Sequence, residues 1–143
     1  MNSDFALALH CLLLLAFKLD QPISSAQIAK SAEVHPVRVR KILGELKKAD
    51  FIDSKEGARG GFYLKRNTCE TSLGEVYQLF SANALKPKVH NCDDTCMIGA
   101  NIEHVLVSIF DLANANLNDF LNQYKLTDVL QELCSCKDKS VEK

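Results

Sequence analysis

The spacing of apolar residues along the chain predicts a protein built mainly from helices. The segment from Asp4 to Leu19 is apolar on nearly every side, which is typical of a helix at the centre of a core. Ser24 followed by Gln27 has the spacing of a capping box, so a short second helix is expected to begin there. A third helix is expected to begin at Pro36, because proline is tolerated in a first helical turn, and to run to about Asp50. The apolar stripe of this third helix comprises Val39, Ile42, Leu43 and Leu46.

A two-stranded hairpin is predicted directly after the third helix. Phe51 to Ser54 and Phe62 to Lys65 have the composition of short strands, and three glycines lie between them. Because glycine adopts positive φ without steric cost, the intervening segment can form a tight turn. The expected fold class is mainly α with a small β-hairpin.

The second half of the chain is predicted to be helical apart from one loop. Ser72 is placed to cap a fourth helix, and Asn83 to Thr95 reads as an irregular loop. A long helix is expected from Ile98 to Tyr124, and Thr127 is expected to cap a short last helix from Val129 to Leu133.

These elements divide the chain into four parts. Residues 1–82 form a compact head, residues 83–97 a loop that contains cysteines, and residues 98–134 the long helix with the short one after it. Residues 135–143 form a polar tail.

The order helix, turn, helix and glycine-rich hairpin is that of a winged helix-turn-helix, which predicts binding to double-stranded DNA. In such a domain the second helix of the pair enters the major groove and presents its N-terminal residues to the bases. The hairpin, or wing, can reach the neighbouring minor groove, where an inserted arginine senses groove width. The candidate DNA-binding residues are Ser24, Ser25, His35, Pro36, Val37, Arg38, Arg40, Lys41, Arg59 and Gly60.

The distribution of charge agrees with this assignment. The whole chain is nearly balanced, with 17 Lys and Arg against 18 Asp and Glu. Residues 1–66 carry 11 basic and 7 acidic side chains, whereas residues 67–143 carry 6 and 11. A basic first half and an acidic second half predict that only the first half faces a polyanion, although a solvated surface without a partner would show the same imbalance.

The long helix carries two apolar strips, which predict that the protein works as a homodimer. The first strip comprises Ile98, Ile102, Val105, Ile109 and Leu112, and the second comprises Leu106, Phe110, Ala113, Leu117, Phe120 and Leu121. One strip can cover the helix's own domain and leave the other for a second copy of the chain. A core formed wholly within one chain is the alternative. The candidate dimer-interface residues are Ile102, Val105, Leu106, Ile109, Phe110 and Leu117.

The apolar segment from Phe5 to Phe17 is not expected to be a signal peptide or a membrane anchor. It is too short to span a bilayer, and Asp4 stands where a signal peptide carries positive charge. A cytoplasmic protein with no membrane partner is therefore expected, and the six cysteines are interpreted as thiols rather than disulfides.

Several short motifs, taken together in order and spacing, carry a resemblance to a known family. They are Phe5-Ala6-Leu7-Ala8-Leu9-His10, Ile28-Ala29, Pro36-Val37-Arg38-Val39-Arg40-Lys41, Lys47-Lys48-Ala49, Gly57-Ala58-Arg59-Gly60-Gly61-Phe62, Ser72-Leu73-Gly74-Glu75-Val76-Tyr77, Cys96-Met97-Ile98-Gly99 and Leu126-Thr127-Asp128-Val129-Leu130. The chain in this way resembles the Rrf2 family of winged helix-turn-helix regulators, which includes IscR-, NsrR- and CymR-type proteins. The resemblance is strongest to the cluster-free, YwnA-like branch and covers about residues 2 to 134.

The resemblance implies a transcriptional regulator, acting as a repressor, whose long helix crosses that of its partner in a dimer bound to a palindromic operator. The wing departs from the family pattern. Many members carry an arginine where this chain has Glu56, and Arg59 falls where those members have a glycine. Arg59 is therefore expected to reach the minor groove by a different path.

The cysteines of the loop predict a response to oxidation or thiol stress rather than a metal centre. Cluster-binding relatives carry three cysteines in this loop, whereas this chain has Cys92 and Cys96, with Gly99 where some relatives have a histidine ligand. Because a cluster normally needs about four ligands, no cofactor and no metal ligands are expected. Iron–sulfur or zinc sensing remains the alternative. Cys69, or the pair Cys134 and Cys136, could complete a cluster, and two of His90, His104, Cys134 and Cys136 could complete a zinc site.

Other function classes find less support in the sequence. The chain has no Cys-x-x-Cys redox pair, phosphate-binding loop or nucleophile elbow, so an enzyme is not expected. A winged-helix adaptor that binds proteins instead of DNA is the other alternative, and the acidic second half would suit it.

Overall fold

The computed structural model describes residues 3–67, 69–82 and 84–136 and confirms the expected fold class. Its elements, in chain order, are α1 (Ser3–Phe17), α2 (Ser25–Ala32), α3 (Pro36–Lys48), β1 (Ile52–Lys55), β2 (Gly61–Leu64), α4 (Leu73–Ser81), α5 (Met97–Leu121) and α6 (Leu126–Ser135). Of the predicted polar tail, which comprises residues 135–143, residues 137–143 lie outside the described ranges.

Helix α1 lies at the centre of the core. It contacts α2, α3, α4, α6 and β2, so apolar side chains are needed on most of its circumference. Ala8, Cys11 and Leu12 are completely buried, and Leu126 at the start of α6 belongs to the same cluster. The C-terminal helix therefore shares the core of the head, and the division of the chain at residue 82 stays a prediction.

Helices α2 and α3 form the expected helix-turn-helix. The Ser24 hydroxyl accepts a hydrogen bond from the backbone N–H of Gln27 at 3.2 Å, and the Gln27 side chain accepts one from the Ser24 N–H at 2.9 Å. Glu33 ends α2 in the left-handed conformation with φ 53°. The predicted capping box and turn are confirmed, and α3 ends at Lys48, two residues before the predicted end.

The wing is an antiparallel hairpin in which Ile52 pairs with Leu64 and Lys55 pairs with Gly61. Strand β1 begins one residue later and β2 one residue earlier than predicted. Just beyond the pair, the carbonyl of the buried Phe51 accepts the N–H of Lys65 at 3.0 Å. Strand β2 is also hydrogen-bonded to the segment that precedes α2.

This link consists of two backbone hydrogen bonds between Ile23 and Phe62. The N–H of Ile23 donates to the carbonyl of Phe62 at 2.9 Å, and the N–H of Phe62 donates back at 2.8 Å. Gly61, beside Phe62, has φ 152°, and a Cβ there would lie 2.6 Å from the Ile23 carbonyl carbon. The close approach of the two backbones therefore requires glycine at this position.

The last helix differs from its prediction. Helix α6 begins at Leu126 and ends at Ser135, so it is longer than predicted, and Thr127 lies inside it instead of capping it. Lys125 is the capping residue, and its N–H donates to the Asp128 carboxylate at 2.9 Å. The start is set by tertiary contacts, because the Leu126 N–H donates to Thr71 and the Leu73 N–H to Tyr124, both at 2.9 Å.

None of the helices in the described ranges combines the length and the apolar character needed to cross a membrane.

We expect Gly61→Ala to destabilise the protein by about 1–3 kcal/mol, because alanine would be strained at this φ and would clash with Ile23. Gly44→Ala is the matched control. Gly44 lies in α3, and a Cβ added there would have no atom within 4 Å, so alanine should stabilise by about 0.5–1 kcal/mol. Urea denaturation followed by circular dichroism measures both changes, and equal stabilities of the two variants would contradict the proposed clash.

Candidate nucleic-acid interface

The first half of α3 presents several predicted DNA-binding residues to solvent on one side. Val39 and Ile42 are buried, whereas Val37, Arg40 and Lys41 are exposed. Residues three and four apart lie on the same side of a helix, so these three side chains project together. The structure therefore brings two cations and one apolar side chain to the surface that a groove would meet.

Two of the candidates at the start of α3 have structural roles as well. His35 caps the helix, with its Nδ1 accepting the N–H of Val37 at 3.2 Å. Pro36 occupies the first helical position, where its missing N–H leaves no bond unmade. Both residues fix the direction in which α3 leaves the turn.

Arg38 is held against the start of α1. Its guanidinium forms an ion pair with Asp4 at 3.0 Å and donates a hydrogen bond to the Ser3 hydroxyl. Both side chains of the ion pair are more than a third exposed, so the pair contributes at most about 1 kcal/mol. Sequence analysis missed this contact because nothing in the pattern places the ends of α1 and α3 together.

The candidates in α2 are less exposed. Both Ser24 and Ser25 are half-buried, and the Ser24 hydroxyl is already used in the capping box.

Arg59 lies at the tip of the wing and is exposed. The Gly60 N–H donates to the Gly57 carbonyl at 3.0 Å and closes a turn that has Arg59 as its third residue. A Cβ on Gly60 would lie 2.1 Å from the Lys55 carbonyl oxygen, so the turn requires glycine at this position. The predicted wing position of Arg59 is thus confirmed, and its contact with DNA stays a prediction.

Sequence analysis missed Arg66, which links the recognition helix to the wing. Its guanidinium lies 4.0 Å from the centre of the Phe51 ring and donates to the carbonyls of Ala49 at 2.9 Å and Asp50 at 3.3 Å. It also contacts Glu75 of α4 at 3.5 Å. An arginine just after the second strand was the only signal in the sequence, and such a position is ordinarily solvated surface.

The two apolar strips of α5 have different surroundings. Val105 and Ile109 are 52% and 54% exposed, and Ile102 beside them is half-buried. The other predicted interface residues, Leu106, Phe110 and Leu117, are all half-buried.

Polar contacts show which side of α5 faces α4. The Tyr77 hydroxyl donates to Asn114 at 3.3 Å, and the Ser72 hydroxyl donates to Asn122 at 2.8 Å. Phe110 and Leu117 lie within one turn of Asn114 on that side, so they pack within the chain, while Val105 and Ile109 lie on the far side. Of the six predicted interface residues, the three in the first strip are therefore the best placed to contact a partner. They are Ile102, Val105 and Ile109.

The cysteines differ in their exposure to solvent. Cys11 is buried, which raises the pKa of its thiol to about 12. Cys96 is exposed at the start of α5, where the backbone N–H groups of Gly99 and Ile98 stabilise a thiolate and lower its pKa. Cys92 is half-buried and its thiol donates to the His90 carbonyl at 3.1 Å.

The loop thiols do not form a metal-binding set with other residues. Within the described ranges, no group of three or more His, Cys, Asp or Glu side chains could hold a metal ion. Two thiols fall short of the roughly four ligands that a cluster needs. The absence of a cofactor stays a prediction.

The chain matches a known family along most of its length. Residues 1–132 match the family described as Rrf2, iron-dependent transcriptional regulator. The chain is 34% identical over 133 residues to YwnA of Bacillus subtilis, a protein assigned to the HTH-type transcriptional regulators, and the match covers 92% of this chain and 98% of YwnA.

Solved structures of similar proteins agree with this family match. A structure assigned as a transcriptional regulator of Lactobacillus plantarum has a TM-score of 0.76 and 27% identity, with 93% of this chain and 91% of that chain covered. The IscR protein of T. potens has a TM-score of 0.72 at 18% identity, covering 96% and 90% of the two chains, and this likeness shows the fold alone.

We expect Cys96 to react with iodoacetamide faster than Cys69 at neutral pH, because both are exposed and the backbone N–H groups at the start of α5 lower the pKa of Cys96. Its rate should reach half of its maximum at a pH below the ordinary thiol value, and Cys11 should stay unmodified until the protein unfolds. Mass spectrometry of peptides from protein purified without oxygen measures the rates, with iron and zinc content determined on the same sample. Equal rates for Cys96 and Cys69 would contradict the effect of the helix start.

Proposed function

We propose that this chain, which belongs to the Rrf2 family of transcriptional regulators, represses transcription by binding a palindromic operator as a homodimer. Members of the family are regulators that bind DNA, not enzymes. The observation that carries the proposal for this chain is the exposed first half of α3, with Val37, Arg40 and Lys41 on one side.

The chemistry of this surface suits the major groove. Arg40 and Lys41 are positioned to neutralise phosphates, which sets the register of the helix on the duplex. Val37 is 59% exposed, and an apolar side chain at the entering end of the helix fits the methyl group of a thymine. Arg38 can exchange Asp4 for a phosphate or a guanine, since the ion pair it would leave is weak.

A dimer accounts for the exposed strip of α5. Ile98, Ile102, Val105, Ile109 and Leu112 recur at alternating intervals of four and three residues, the spacing of a seam between helices. Two copies joined through this strip would deliver two α3 helices to successive major grooves, roughly 34 Å apart. A two-fold protein then reads a palindromic site, and a bound dimer excludes polymerase from it.

We propose that oxidation of Cys96 regulates binding. A peroxide would convert the Cys96 thiolate to a sulfenic acid and be reduced to water, and Cys92 could then condense with it, releasing a second water and forming a disulfide. The lowered pKa of Cys96 supports this role, and the helix that begins there carries the dimer strip. If the alkylation rates show no activation of Cys96, this part of the proposal fails while DNA binding stands.

We expect the double variant Arg40→Ala/Lys41→Ala to lose operator affinity and salt dependence. A duplex selected from a random library by the wild-type protein serves as the operator in gel-shift titrations across a salt series. Each phosphate contact contributes about 0.9 to the slope of log affinity against log salt, so a dimer that loses four should show a slope smaller by about 4.

Lys86→Ala/Lys88→Ala is the matched control, because it removes the same charge from the loop before α5. If the two double variants lost the same operator affinity, the effect would come from net charge alone. Failure of the wild-type protein to select any duplex would contradict the proposal and favour an adaptor that binds protein.

We expect Arg59→Ala to lower operator affinity about tenfold, because the exposed tip of the wing would lose its minor-groove contact. Glu56→Gln is the paired variant. Removing an exposed carboxylate from the same tip should leave affinity equal or higher, since phosphates repel it. If Arg59→Ala bound the operator as well as the wild-type protein at moderate salt, the wing would not be part of the DNA interface.

A further inference from the structure

A cleft with polar walls lies between the base of the wing and helices α4 and α5. Its volume is about 460 Å³, within the range of small-molecule sites. Phe51 and Arg66 contribute one wall, and Glu75, Gln78 and Asn118 contribute the other. The cleft differs from the groove between α1 and α6, which is lined mainly by apolar side chains.

Three asparagines recur at four-residue intervals at the end of α5. The Asn114 side chain accepts a hydrogen bond from the Tyr77 hydroxyl at 3.3 Å, and the Asn122 side chain accepts one from the Ser72 hydroxyl at 2.8 Å. Asn118 lies between them on the same side of the helix. Its Oδ1 is buried and has no hydrogen-bond partner among the residues that the structure describes. Buried polar groups are almost always hydrogen-bonded, so this acceptor requires an explanation.

Helix α4 supplies no donor to this acceptor. Gly74 packs against the same turn of α5, where a Cβ would clash with the Asn122 Oδ1 and lie 3.0 Å from the Asn118 carbonyl oxygen. A glycine has no side chain that could donate, and Gln78, one turn further along α4, is exposed. Because Gly74 and Asn118 both line the cleft, a donor can come from a molecule that occupies it.

Of the described residues that line the cleft, Arg66 and Glu75 are the charged ones. Their side chains lie 3.5 Å apart and are both more than a third exposed, so their ion pair is weak. The guanidinium has more N–H donors than its contacts with Ala49, Asp50 and Glu75 use. A carboxylate can therefore bind Arg66, and an ammonium group can bind Glu75, in place of the pair that these residues form with each other.

We propose that this cleft binds a small zwitterion of the α-amino acid class. The carboxylate of the ligand accepts hydrogen bonds from Arg66. Its ammonium group donates to Glu75 and to the unpartnered Oδ1 of Asn118, and its side chain lies against Leu79, which is 40% exposed. The balanced charge of the walls disfavours a phosphate, because Glu75 repels a second anion.

Occupancy of the cleft connects the DNA-binding elements to the long helix. Arg66 donates to the Ala49 carbonyl at the end of α3 at 2.9 Å, and Asn118 belongs to α5. A ligand that contacts both residues favours one position of α3 and the wing relative to α5, and it thereby changes the affinity for the operator. This regulatory effect rests on the proposed function, whereas the binding of the ligand does not.

The probes are the common L-amino acids, each added separately at millimolar concentration to the full chain. Differential scanning fluorimetry measures Tm, and isothermal titration calorimetry measures Kd for each amino acid that raises it. We expect at least one to raise Tm by about 2 °C or more, because a ligand that binds only the folded state stabilises it. Its N-acetyl and methyl-ester derivatives each lack one of the two charges and should bind about tenfold more weakly or worse.

Two variants of the cleft and one control identify the site. Asn118→Leu removes the acceptor, so Tm without ligand should stay equal or rise while the response to the amino acid is lost. Glu75→Gln removes the charge but keeps the capping box, in which glutamine serves as well, and should weaken binding about tenfold. Asn91→Leu, at an exposed position of the loop before α5 and outside the cleft, should respond like the wild-type protein.

The inference is wrong if no amino acid raises the Tm of the wild-type protein, or if Asn118→Leu responds as strongly as Asn91→Leu. If the N-acetyl derivative binds as tightly as the amino acid itself, the ligand is not recognised as a zwitterion. None of these results bears on DNA binding, because Tm and Kd are measured without DNA.

Gel-shift titrations with the selected duplex test the regulatory effect. The amino acid should change the operator affinity of the wild-type protein about threefold or more and leave that of Asn118→Leu unchanged. An unchanged wild-type affinity would refute the regulatory effect. Failure to select any duplex would refute the proposed function and leave the ligand site intact.

Discussion

The burial of α1 is the interaction on which the rest of the structure depends. Four other helices and one strand of the wing contact this helix, and its side chains Ala8, Cys11 and Leu12 have no exposure to solvent. Because the recognition helix, one strand of the wing and the C-terminal helix all pack against the same helix, they keep fixed positions relative to one another. A rigid support of this kind is what a surface needs if it is to match the grooves of a duplex.

The recognition helix shows how one element serves both core and site. Val39 and Ile42 secure α3 to the core, while Arg40 and Lys41 on its other side face solvent. The free protein also holds part of its basic surface in internal contacts, since Arg38 pairs with Asp4 and Lys47 donates to Ser54 at 2.7 Å. The exposed cations, and not the total number of basic residues, therefore define the surface available to phosphates.

Much of the head was predictable because the signals in it are local. A capping box joins residues three apart, a proline restricts its own turn, and glycines allow a hairpin between two short strands; each of these predictions is confirmed. The start of α6 was not predictable, because Leu126 and Leu73 are hydrogen-bonded to residues distant in sequence. The same holds for Arg66, whose three carbonyl and ring contacts come from the turn between α3 and β1.

The sequence by itself determined the class of the fold, the position of the recognition helix and the presence of two apolar strips on α5, since periodicity and capping depend on neighbours along the chain. Only the tertiary structure decided that Phe110 and Leu117 lie on the side that faces α4 and that Ile98, Val105 and Ile109 stay exposed. It also decided that α1 and α6 form a groove. The physical reason is that periodicity defines the sides of a helix, whereas the direction each side faces depends on the elements packed against it.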